Sequence, residues 1–100
     1  MLISDIRCDL KDIRYYYSRK ASFDMYKDIV GENKIVHTIK KYNEIMQSAS
    51  PKLYDLYINL YVRNNTQESL SDELNYTPEY IQMLNKKLLL FLKSEFEKNE

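Results

Sequence analysis

Residues 66 to 92 read TQESLSDELNYTPEYIQMLNKKLLLFL. A short amphipathic stretch ends at Asn75-Tyr76, and a second stretch starts on Thr77-Pro78 and runs on without a helix breaker. Asn at the turn tolerates a left-handed backbone, and Thr66 is suited to cap the first stretch. This order predicts two helices joined by a tight turn, the layout of a helix-turn-helix.

A further helix is predicted before this pair, over residues 51 to about 63. Pro51 suits the first turn of a helix, and Asn64-Asn65 ends it. Its predicted inner side is lined by Leu53, Leu56, Tyr57, Leu60 and Tyr61. The stretch Ser48-Ala49-Ser50-Pro51 is the clearest boundary, so we divide the chain into an N-terminal helical segment, residues 1–48, for interaction or dimerisation, and a helix-turn-helix domain, residues 51–100. We expect both to share one core.

The N-terminal segment begins with a helix over residues 2 to 18. Its apolar residues recur at steps of three and four and form one stripe: Leu2, Ile6, Leu10, Ile13 and Tyr17. Acidic residues line one flank (Asp5, Asp9, Asp12) and basic residues the other (Arg7, Lys11, Arg14). These rows either pair with a neighbouring helix or are solvated. Cys8 lies near the stripe, and we expect it to be a small buried side chain.

The pattern loses phase over residues 18–22 and resumes at Phe23, Tyr26, Ile29 and Val30, with Gly31 placed as a helix C-cap. A third helix over residues 33 to 48 has Ile35, Ile39, Tyr42 and Met46 on its inner side. Its outer side carries Lys34, His37, Lys40 and Lys41, which either contact phosphate or are solvated. The predicted fold is all-α: an N-terminal helical hairpin followed by three helices.

Composition excludes several classes of protein. One hundred residues with a net charge of zero make one domain without a global attraction to nucleic acid or anionic membranes. The apolar run at residues 88–92 is too short to span a bilayer, so we expect a soluble cytoplasmic protein without a membrane partner. One His, one Cys and one Gly do not make the usual zinc site, nucleophile-base pair or phosphate loop. We therefore expect no cofactor and no enzyme activity.

Residues 66 to 93 resemble region four of the primary bacterial sigma factors and the sigma-like domain of phage ArpU and RinA type regulators of late transcription. The matching positions are Thr66, Glu68, Leu70, Leu74, Thr77, Ile81, Leu84, Lys86, Lys87, Leu89 and Leu92. The resemblance implies that the helix over residues 77–93 enters the DNA major groove. It also implies a bacterial host cell. The expected DNA contacts are Gln82, Lys86 and Lys87, with Thr77, Glu79 and Tyr80 beside them.

The chain departs from that family where DNA is contacted. Asn75 replaces the usual turn glycine, and Pro78, Glu79, Tyr80 and Gln82 stand where the family is rich in arginine. Among these, only Gln82 is suited to read base edges. Residues 51–100 hold six basic and eight acidic residues, a net of −2. Since phosphate neutralisation supplies most non-specific affinity, we expect weak DNA binding by a monomer.

Two groups of apolar or aromatic residues predict an interaction surface. The run at residues 88–92 is apolar all round and must be covered. Either the N-terminal helices or a second copy in a symmetric dimer covers it. The side chains of Tyr15, Tyr16 and Tyr17 point three ways, so at least one is exposed or at an interface. The expected interaction residues are Tyr15, Tyr16, Leu90 and Phe91.

Two functional hypotheses follow. In the first, the chain is a small phage or prophage transcriptional regulator that binds DNA through its helix-turn-helix. In the second, a degenerate helix-turn-helix binds a transcription factor or RNA polymerase rather than DNA. Neutral charge and the missing arginines favour the second, whereas the registered pattern of capping and apolar residues favours the first.

Overall fold

A computed structural model describes residues 1–19 and 33–98 of the chain. These ranges are 83% helical, with five helices and no strand, so the predicted all-α class is confirmed. The helices are α1 (Ile3–Ser18), α2 (Asn33–Met46), α3 (Pro51–Tyr57), α4 (Gln67–Leu74) and α5 (Pro78–Lys98), and α3 continues as a π-helical segment, Ile58–Val62. The predictions for Phe23, Tyr26, Ile29, Val30 and Gly31 lie outside the described residues.

The apolar stripe of α1 starts later than its sequence pattern indicates. Ile6, Leu10 and Ile13 are buried, and Tyr17 is half-buried. Leu2 precedes the helix in an extended conformation and is 65% exposed. The prediction for Cys8 is wrong, because its thiol is exposed. Cys8 follows Ile6 by two residues, or about 200° around the helix axis, which turns it away from the core.

Helix α2 packs against α1 through the side that the sequence predicts. Ile39, Tyr42 and Met46 are buried, and the Tyr42 hydroxyl donates a hydrogen bond to Asp9 Oδ2 at 2.8 Å. The outer residues Lys34, His37, Lys40 and Lys41 are exposed, as predicted. The helix ends at Met46, two residues before the predicted end. The Ser48 hydroxyl then donates to the Ile45 carbonyl.

Helix α3 starts where Pro51 predicts, and Ser50 caps it by accepting a hydrogen bond from the Leu53 amide at 3.4 Å. The predicted helix over residues 51 to 63 changes its winding at Ile58. The Arg63 amide donates to the Ile58 carbonyl at 2.8 Å, five residues back, as in a π-helix. Helix α1 packs on this π-helical segment.

The buried side chains of all five helices form one hydrophobic cluster. Its members are Ile6, Leu10, Ile13, Ile39, Tyr42, Met46, Leu56, Tyr57, Leu60, Leu70, Ile81, Leu84, Leu88, Leu89, Leu92 and Phe96. Helix α1 contacts α2, the π-helical segment and α5, so the N-terminal helices complete the core around the C-terminal three. Among the described residues, no helix combines the length and apolarity needed to cross a membrane.

Candidate nucleic-acid interface

The turn between α4 and α5 is built from local hydrogen bonds. Thr66 Oγ1 caps α4 by accepting from the Ser69 amide at 3.0 Å. Asn75 ends α4 in the left-handed conformation, with φ of 56°, in agreement with the tolerance predicted for Asn. Thr77 Oγ1 accepts from the Tyr80 amide at 3.1 Å. The Thr77 hydroxyl therefore caps α5 and sets where that helix starts.

The helix pair is held from beneath by apolar side chains. Leu70 of α4 and Ile81 and Leu84 of α5 are buried, and they face α3 across a small apolar cavity with Leu56. Leu74 also lines this cavity but remains 46% exposed, since it lies in the last turn of α4. One side of α5 is thus fixed and the opposite side is free.

The free side of α5 is a stripe with helical spacing, here called the recognition face. Its exposed members are Glu79, Gln82, Met83, Lys86, Lys87 and Leu90. The three main DNA contacts that the sequence predicts lie on this face: Gln82, Lys86 and Lys87. They remain exposed to solvent although the N-terminal helices pack nearby. Met83 and Leu90, at 45% and 53% exposed, make the face partly apolar.

Tyr80 borders the recognition face, two helical turns before Lys87, and is half-buried. Its ring stacks on Tyr76, with centroids 4.8 Å apart and planes at 11°. Its hydroxyl accepts a hydrogen bond from Lys52 Nζ at 2.8 Å, which raises the pKa of Lys52. Tyr80 therefore ties α5 to α3. Tyr76 lies in the turn between α4 and α5, so the rule for helical neighbours four residues apart does not predict this pair.

The four predicted interaction residues have different environments. Tyr15 is 55% exposed, with the Arg19 guanidinium 5.5 Å from its ring centre, whereas Tyr16 is half-buried and packs edge-on against Tyr17. Phe91 is half-buried against the core. Leu90 is exposed, so the N-terminal helices do not cover the run at residues 88–92 on every side, and cover by a second copy stays a prediction. The core reaches the neighbouring Leu88, Leu89 and Leu92 but leaves Leu90 on the recognition face.

The sequence did not reveal that the basic flank of α1 lies beside α5. A groove of about 490 Å³ has Arg7 of α1 on one wall and Gln82 and Lys86 of α5 on the other. It adjoins a second groove, with which it shares Arg7, Asn85 and Leu89, and which adds Lys11 and Arg14. The row of basic residues on α1 is visible in the sequence. The sequence does not show which helix that row faces in the fold.

The side chain of Arg14 ties α1 to the turn before α4. Arg14 donates hydrogen bonds from Nε to Asn64 Oδ1 and, at 3.5 Å, from a terminal nitrogen to the Asn65 carbonyl. These residues form the turn that precedes α4, where Asn64 has φ of 62°. The hydroxyl of Tyr61, whose pKa is raised by burial, donates to Asn85 Oδ1 at 2.7 Å. These bonds link α1 to the turn, and the π-helical segment that precedes the turn to α5.

No model of a known protein family matches the chain, and no curated protein or solved structure matches it. The resemblance to sigma region four accordingly depends on the residues named above and stays a prediction.

Proposed function

We propose that this chain is a small phage or prophage transcriptional regulator that binds DNA by inserting α5 into the major groove. The observation that supports it most is the recognition face, where Gln82, Lys86 and Lys87 are exposed on a helix whose start is set by the Thr77 cap. In this proposal the protein acts in the cytoplasm of a bacterial host cell, and pairing of two copies would add the affinities of two recognition helices.

Each residue has a chemical role in this proposal. The Gln82 side-chain amide is suited to a bidentate contact with adenine. Lys86 and Lys87 neutralise phosphates or donate to guanine. Glu79, in the first turn, accepts a hydrogen bond from cytosine and repels nearby phosphate. It therefore contributes to sequence selectivity rather than to DNA affinity. Tyr80 acts indirectly, since its ring and hydroxyl hold α5 in place.

Changing Lys86→Ala and Lys87→Ala together tests the proposal. We expect the affinity for duplex DNA from the gene's own upstream region to fall, and the slope of log affinity against log salt to shrink by about 2, one for each lost phosphate contact. The measurement is a fluorescence anisotropy titration at about 50 and about 200 mM salt.

The matched control removes two exposed lysines from another helix, with Lys34→Ala and Lys40→Ala in α2. Solvated lysines on α2 should leave the salt slope near that of the unchanged protein, whereas a reduced slope would show that this surface also contacts phosphate. An unchanged protein that shows no salt-dependent binding to this DNA at the lower salt would refute the proposal.

The second candidate function is a protein-interaction module that binds a transcription factor or RNA polymerase. It is favoured by Met83 and Leu90, which expose apolar surface on the recognition face beside the acidic Glu79. Large exposed apolar side chains are typical of protein contacts. The titration above separates the two functions, because this one predicts no binding to the duplex at either salt.

A further inference from the structure

The two charged flanks of α1 face different neighbours. On the acidic flank, Asp9 accepts a hydrogen bond from Tyr42 of α2. On the basic flank, Arg7 and Lys11 line the adjoining grooves between α1 and α5, which also contain Asn85 and Lys86. The protein has no net charge, yet α1 has a basic side that faces α5 and an acidic side that faces α2.

The basic residues of this flank differ in their freedom to bind an external anion. Arg14 is occupied by the turn at Asn64 and Asn65. Arg7 and Lys11 are exposed, and within residues 1–19 and 33–98 neither forms an ion pair with an acidic side chain. Their charges are therefore available to a ligand.

The grooves themselves favour an anion. Among the described residues, no carboxylate lines either groove, whereas Arg7, Lys11, Arg14 and Lys86 contribute four cationic side chains. The helix-turn-helix domain alone has a net charge of −2. A polyanion that contacts α5 from this side consequently meets its positive charge mainly on α1.

We infer that Arg7 and Lys11 of α1 bind phosphates of the same DNA duplex that receives α5. A helix in the major groove has a sugar-phosphate backbone on each side, and α1 lies along the side of α5 that carries Gln82 and Lys86. The N-terminal helix thus adds positive charge beside Lys86 of α5. This inference rests on the proposed function.

The experiment compares three double variants of the full chain with the unchanged protein on the same upstream DNA duplex. They are Arg7→Gln/Lys11→Gln in α1, Lys86→Gln/Lys87→Gln in α5, and the charge-matched control Lys34→Gln/Lys40→Gln in α2. All six positions are exposed, so the folds should survive, which circular dichroism and thermal melting check. Anisotropy titrations across a salt series give affinity and salt slope.

We expect Arg7→Gln/Lys11→Gln to weaken binding on the order of tenfold at about 50 mM salt and to reduce the slope by about 2. The α2 control should bind like the unchanged protein. The inference is overturned if the α1 variant binds like the unchanged protein while the α5 variant binds weakly, and the proposed function then stands. Equal weakening by the α1 variant and the α2 control also overturns it, because the effect is then one of overall charge.

Failure of the proposed function looks different. If the α1 variant loses affinity and the α5 variant does not, the phosphate site on α1 is supported and recognition by α5 is refuted. If the unchanged protein does not bind the duplex at any salt, both the proposed function and this inference are refuted.

Discussion

The two halves of α5 have opposite surroundings. Over residues 78–87 only Ile81 and Leu84 are buried, and most of the remaining side chains are exposed. Over residues 88–98 the core takes in Leu88, Leu89, Leu92 and Phe96. Phe96 contacts the Tyr42 ring of α2, with ring centres 5.1 Å apart. The second half of α5 is buried under the N-terminal helices. This packing anchors the exposed first half of the helix.

The largest expected effect is a difference in stability between alanine substitutions at Leu88 and at Leu90. These two leucines of α5 point in different directions. Leu88 is 0% exposed and Leu90 is 53% exposed. Leu88→Ala should lower the free energy of unfolding by about 2–5 kcal/mol because it leaves a cavity. Leu90→Ala should change it by no more than about 0.5 kcal/mol. Urea unfolding curves measure both. Similar losses for the two variants would mean that Leu90 is covered in solution, as in a dimer.

The second effect is a loss of stability at high pH, caused by two tyrosines of the hydrophobic core, Tyr42 and Tyr57. Burial raises the pKa of Tyr42 and Tyr57, and the bond to Asp9 raises the pKa of Tyr42 further. Below about pH 10 the phenol keeps its proton in both the folded and unfolded chain. Above that pH the unfolded chain releases the proton while the folded chain retains it, so stability falls.

For each such tyrosine the fall should approach about 1.4 kcal/mol per pH unit. Urea unfolding at several pH values between about 8 and 11 measures it. Tyr42→Phe starts from a lower stability because it loses the bond to Asp9, but its stability should fall less steeply with pH. An equal slope in this variant would show that Tyr42 titrates normally in the folded protein.

The smallest expected effect concerns the exposed half of α5. Thr77→Ala removes the cap hydroxyl that accepts from the Tyr80 amide and should cost about 1 kcal/mol. Amide exchange should quicken in the first turn of α5 and remain slow over residues 88–96. The control is Thr38→Ala inside α2, where the hydroxyl donates to the Lys34 carbonyl and its loss should be nearly neutral. Faster exchange throughout α5 would show that the two halves do not act separately.

Local features were predictable because their causes lie within a few residues. The cap at Thr66, the left-handed Asn75 and the start of α3 at Pro51 follow from side-chain chemistry next to the backbone. The exposure of Gln82, Lys86 and Lys87 follows from their register against Ile81 and Leu84. By contrast, the wrong prediction for Cys8 came from its nearness in sequence to a buried stripe. Its angular position around the helix axis, rather than its distance along the chain, correctly predicts that Cys8 is exposed.

The sequence by itself determined that the described chain is helical, where most of the helices begin, and that α1 carries two separate charged rows. Helical periodicity acts over three or four residues, so it can be read from the chain alone. Only the tertiary structure decided that the basic row lies beside Lys86, that Tyr80 bonds to Lys52 and that Leu90 stays exposed. These outcomes depend on how five helices bury their apolar sides together, and no single helix contains that information.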